Sequence, residues 1–211
     1  MKNSASSRPV PCLFVKRSDR RNTVLNWHRA PEKEFDIYAR AYWDAAQTLV
    51  NNVQLDQIYG YDACPVVFLY RHALELYLKA ILLGDGAKFV PDAPGPESVL
   101  GSSHSLNDLV PHVRKIFETF AWGFGADELR TFEDFEALVD ELHRVDEGSY
   151  AFRYPTTPRL KGALDGHFTF NVREFARKMD EALTTLDGAC DMLPEICQSR
   201  WEAAYRASTE G

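Results

Sequence analysis

The sequence predicts an all-α protein: an up-and-down bundle of about five helices, preceded by an extended N-terminal arm. Three observations predict it. Apolar residues recur at three- and four-residue steps in five segments. No segment keeps up the two-residue alternation of a sheet strand. One segment is apolar nearly all round, as the central helix of a bundle must be.

The elements follow in order. Residues 1–31 mix Ser, Pro and Arg around a short β-prone run, Cys12 to Val15, and read as an arm. Residues 32–211 form the bundle domain. Its first helix spans Glu32 to Gln54, with Phe35, Tyr38, Tyr42, Ala45, Leu49 and Val53 as the inward stripe. Pro31 and the acids behind it suit a helix start. The second helix, Pro65 to Leu83, is the apolar one, and Gly84 and Gly86 suit its stop. Residues 84–103 carry prolines, glycines and serines and read as a surface loop. The third helix spans Leu106 to Phe120, with Ser105 and Asp108 as a capping box and Pro111 as a source of a kink or a late start. The fourth spans Asp127 to Val145, and a long loop follows from Asp146 to Phe170. The fifth starts at Asn171, a good N-cap, with Gly188 and Pro194 expected to bend or interrupt it before a helical tail through Trp201 and Tyr205. Its near-heptad pattern suits packing within the chain or a homodimer seam.

Composition narrows the function. The chain is 45% hydrophobic and 26% charged, ordinary for a globular protein. Its longest apolar run, Cys64 to Tyr70, falls well short of the roughly 18 residues that cross a bilayer. With no secretory leader pattern, a cytoplasmic location is expected. The four cysteines form no Cys-x-x-Cys pair and the six histidines show no metal-ligand spacing, so neither metal nor cofactor is expected. The net charge is −7, but residues 1–30 carry +6 and the remainder −13. Such an arm either contacts phosphates or folds back on its own acidic body.

Two segments stand out. On the second helix, Arg71, His72, Glu75 and Lys79 occupy an arc of about 100° on an otherwise apolar surface. Charges there must be paired or line a cavity. On the long loop, Arg153 sits between Phe152 and Tyr154, and its planar donor fork suits Glu75, another carboxylate or a phosphate. Two readings stay open: an ionic network that pins the loop to the helix, or a phosphate or nucleotide site of Arg71, Glu75, Lys79, Arg153 and Tyr154.

These segments resemble the HEPN superfamily of nucleotide-binding helical domains. The resemblance lies in Tyr70-Arg71-His72-Ala73-Leu74-Glu75-Leu76-Tyr77-Leu78-Lys79-Ala80 and on to Leu82, then His104-Ser105-Leu106 with Leu109, then Phe152-Arg153-Tyr154-Pro155, in that order over residues 60–155. It implies an often dimeric bundle of toxin–antitoxin or antiviral defence systems. Members bind RNA, nucleotide or a partner protein, or act as metal-independent endoribonucleases. Active members typically carry Arg-x(4–6)-His on a late helix. Here that spacing occurs only as Arg21 to His28, in the arm. The expected function is therefore a HEPN-like domain that binds RNA, nucleotide or a protein without the typical nuclease motif. Two alternatives stand beside it: a ribonuclease with another site, for which Arg71, His72 and His104 are the catalytic candidates, and an interaction bundle with no ligand.

Overall fold

The computed structural model describes residue 23 and residues 33–52, 60–101, 104–125, 127–157, 159–164 and 168–209. Contacts divide the chain into residues 1–31 and 32–211. The expected arm, and with it the Arg21 to His28 spacing, lies outside the described residues.

Among the described residues the second unit is all-α, with six helices and no strand. They are α1 (Phe35–Asn52), α2 (Ala63–Leu83), α3 (Pro96–Gly101), α4 (Leu106–Phe120), α5 (Phe132–Val145) and α6 (Val172–Thr209). None of them is long and apolar enough to cross a membrane. Helix α2 is central as expected: it packs on α1, α3, α4 and α6, and Tyr70, Ala73, Leu74, Tyr77, Leu78 and Ile81 are fully buried.

Several elements differ from the sequence reading, each for a physical reason. The inward stripe of α1 is Ala39, Trp43, Ala46 and Val50, one position round from the expected one, and Ala45 and Tyr38 face out. This face packs on α2, with Ala39 and Ala46 fully buried on either side of Trp43, while Tyr42 and Leu49 of the expected stripe are half-buried beside it. The expected loop 84–103 contains a 3-10 turn, Asp85–Phe89, and the short helix α3. A Cβ at Gly86 would lie 2.5 Å from Leu193 Cδ2, so glycine allows this turn to sit against α6.

Ser105 makes no side-chain cap. The capping box belongs instead to α5, where the Thr131 hydroxyl accepts from Asp134 N and the Asp134 carboxylate accepts from Thr131 N. That box moves the start of α5 to Phe132. Pro111 sits exposed inside a continuous α4, in its second turn, where it removes one donor from the ladder without ending the helix. Helix α6 is likewise continuous through Gly188 and Pro194 over 38 residues, so neither interrupts it. Leu186, Ala189, Leu193 and Cys197 are buried on both sides of Pro194, and their packing holds the helix together. The Asn171 side chain caps it by accepting from the backbone of Arg173 and Glu174.

Two half-buried carboxylates of α6 lie at its seam with α1 and α2. Asp180 Oδ1 accepts from Trp43 Nε1 at 2.6 Å, Gln47 Nε2 at 3.0 Å and the Tyr70 hydroxyl at 2.9 Å. Asp187 accepts from the Tyr77 hydroxyl at 2.6 Å and pairs with Arg40. Burial first, then the adjacent carboxylate, pushes both tyrosine hydroxyls far above their ordinary value, so they act as neutral donors.

Candidate functional site

The ionic residues of α2 face a common partner set. Arg71 and Glu75 are 0% and 1% exposed and Lys79 is 7% exposed. Spacing of four residues stacks all three on one side of the helix. Lys79 Nζ donates to Glu75 Oε1 at 2.9 Å. His104, at the entrance to α4, puts Nδ1 3.0 Å from the same oxygen and 3.3 Å from Oε2. Arg71 Nη1 stands 3.5 Å from Glu75 Oε2, an ion-pair distance longer than a good hydrogen bond.

Arg71 spends its donor fork on the backbone. Nη2 donates to His104 O at 2.6 Å and to Glu147 O at 3.4 Å, and Nε donates to Asp146 O at 3.3 Å. Asp146 Oδ2 lies 3.5 Å from Nε, while its Oδ1 accepts from Tyr150 N at 2.6 Å and Ala151 N at 2.8 Å. The buried arginine thus ties the start of α4 and the head of the 146–170 loop to the central helix. Burial pulls Arg71 below its usual range, and Asp146 and Glu75 oppose that pull.

Burial alone would raise the Glu75 carboxyl. The hydrogen bonds and charges of Lys79 and His104 outweigh it and hold the group below the ordinary carboxylate value of 4.5. Its contribution to stability is therefore complete above that value and is lost as acid protonates it. The thermal midpoint is expected to fall as pH drops below about 5, and Glu75→Gln is expected to flatten that fall. Thermal melts of the two proteins across the acid range check this.

Arg153 does not reach Glu75. Its Nε donates to Ser149 O, and its guanidinium lies 5.5 Å from the ring centres of Phe68 and Tyr150 and 5.7 Å from that of Tyr154. The carboxylate that answers the α2 charges from the long loop is Asp146. His72 continues the aromatic group: it stacks on Phe68 at 5.7 Å and meets Tyr42 edge-on at 4.4 Å. Burial, then the positive charges of Lys79 and Arg153, hold the His72 ring below its ordinary value against the pull of Glu75, which keeps it neutral near pH 7.

The expected residues therefore separate into two groups. Arg71, Glu75, Lys79 and His104 form a mostly buried ionic network, from which only the His104 side chain, 57% exposed, emerges. Arg153 and Tyr154 form an exposed platform with Phe68 and Tyr150. The platform borders an open hollow of about 760 Å³ lined by residues 60–61, 63–64, 151–155, 163–164 and 168–170. Phe68 and Tyr150 carry no sequence signal beyond being aromatic, and Asp146 could have been found as an acid that opens a loop. Among the described residues no group of three His, Cys, Asp or Glu is placed to hold a metal ion, and Cys64, Cys190 and Cys197 are free thiols. No protein-family model, curated protein or solved structure matches the chain.

Proposed function

We propose that this chain is a HEPN-like domain that binds single-stranded RNA, or a nucleotide, at the Arg153 platform. One observation carries the reading: an exposed arginine is held among three aromatic rings beside an open hollow. Because Nε is engaged by Ser149, the two terminal nitrogens remain for a phosphate. Tyr154, 50% exposed, offers a ring face to a base. The loop stretch 148–164 carries Arg153, Arg159 and Lys161 and no acidic residue, in a chain whose net charge is −7. An unstacked base with its phosphate matches this pairing of ring and cation.

Tyr154→Ala is expected to weaken binding of a single-stranded RNA oligonucleotide by about 5- to 150-fold, one stacked base being worth about 1–3 kcal/mol. Arg153→Ala is expected to weaken it too, and to make the slope of log affinity against log salt shallower by about 0.7 for the lost phosphate contact. Fluorescence anisotropy titrations over a range of salt check both. Unchanged affinity and slope in the two variants would remove the platform as the site.

A further inference from the structure

We infer that the half-open apolar pocket between α5, α6 and the 146–170 loop is a binding site for a compact aromatic ring that carries an ammonium group. It is a second site, apart from the Arg153 platform, and needs no RNA.

The pocket has room for a small apolar body and little use for water. It encloses about 210 Å³. Its buried lining is Val67 of α2, Leu142 of α5, Met179 of α6 and Phe152 of the loop. Side chains ordinarily fill such a space, because protein interiors pack as densely as organic crystals. Water needs two or more polar partners to stay, and these side chains offer it none. An apolar cavity of about 150 Å³ admits a benzene ring, so this one accommodates a bicyclic ring.

The rings of the lining select an aromatic guest. Phe152, Phe168, Phe170 and Phe175 follow one another along the pocket, with ring centres 6.3, 5.5 and 5.8 Å apart and planes turned by 62°, 42° and 77°. Rings turned this way offer a flat guest both faces and edges, the contacts that aromatic pairs prefer. The Met179 thioether adds a polarisable contact. A nucleobase fits less well, since its edge carries donors and acceptors that apolar side chains cannot answer. Phe152, Phe168 and Phe170 also line the hollow beside Arg153, so the two sites share a wall but not their chemistry.

The mouth selects the charge. Its ionic residues are Glu141, Glu174 and Lys178, all exposed. Glu174 accepts from Arg177 at 2.6 and 3.1 Å, and Lys178 Nζ lies 3.9 Å from the same carboxylate. The Asn171 side chain takes up the Arg173 and Glu174 amides, which leaves the first turn of α6 fewer donors for an anion. Glu141 makes no hydrogen bond or ion pair among the described residues. The charge left unanswered at the mouth is therefore negative, and an ammonium group answers it.

Tryptamine, an indole ring with an ethylammonium group, is the probe. Indole-3-acetate, the same ring with a carboxylate, is its control. Isothermal titration calorimetry and saturation-transfer NMR use the full chain at pH 7 without RNA. Tryptamine is expected to bind at one site, about 10-fold or more tighter than indole-3-acetate. Glu141→Gln, at an exposed position, is expected to weaken tryptamine about 3- to 10-fold and to leave indole-3-acetate unchanged or tighter. Leu138→Trp, which puts an indole into the pocket from α5, is expected to abolish tryptamine binding while circular dichroism shows the wild-type helix content. Phe168→Ala, at an exposed ring, is expected to weaken tryptamine several-fold. Absence of tryptamine binding, equal affinity for the two indoles, or unchanged affinity in Glu141→Gln would each overturn the assignment. So would wild-type affinity in a folded Leu138→Trp. Should that variant fail to fold, Phe168→Ala decides the location, and unchanged tryptamine affinity there overturns it as well. Because no RNA is present, every one of these outcomes leaves the reading of the Arg153 platform to its own test.

Discussion

Arg71→Ala is expected to destabilise the protein by about 3–5 kcal/mol, the cost of removing one partner from a buried ionic group. The side chain is fully buried and its guanidinium meets Asp146, Glu75, and the carbonyls of His104, Asp146 and Glu147. Alanine leaves two carboxylates short of a cation and three carbonyl oxygens short of a donor, and opens a cavity as well. Arg71→Lys keeps the charge but not the fork, so it is expected to recover only part of the loss. Urea denaturation monitored by circular dichroism measures both. A loss below about 1 kcal/mol for alanine would mean that water satisfies these groups, against their observed burial.

Asp180→Ala is expected to cost about 2–5 kcal/mol, because a single carboxylate oxygen accepts three donors and each stranded buried donor costs about 1–3 kcal/mol. Tyr70 is fully buried and Trp43 nearly so, so neither can turn to solvent for a substitute. Asp180→Asn keeps an acceptor oxygen and is expected to lose less. Denaturation read through tryptophan fluorescence, to which Trp43 contributes, checks the order of the three proteins. Equal stability of alanine and wild type would show that this seam is held by its apolar contacts alone.

Much of the bundle was legible from periodicity. The span of α4, Leu106–Phe120, is the one the spacing predicts, and Asn171 caps α6 as its chemistry demands. Features set by tertiary contact were not legible. The rotation of α1 is set by its packing on α2, and the continuity of α6 through Pro194 depends on buried neighbours on either side. At the candidate site, local spacing showed that Arg71, Glu75 and Lys79 share one side of a helix. It could not show that His104, 29 residues further on, shares the Glu75 carboxylate, or that Asp146 rather than Arg153 would answer the helix from the loop. Those pairings join residues distant in sequence, and only the packed chain creates them.

Asp146 spans two worlds. One oxygen meets a guanidinium in the interior, and the other gathers the amides that shape the turn leading to Arg153. The turn that presents Arg153 is thus an outgrowth of the helix beneath it, not an independent flap. A ligand that bound at this turn and tightened it would tighten the helix as well, and loosening the helix would weaken that ligand by the same free energy, since coupling runs equally in both directions.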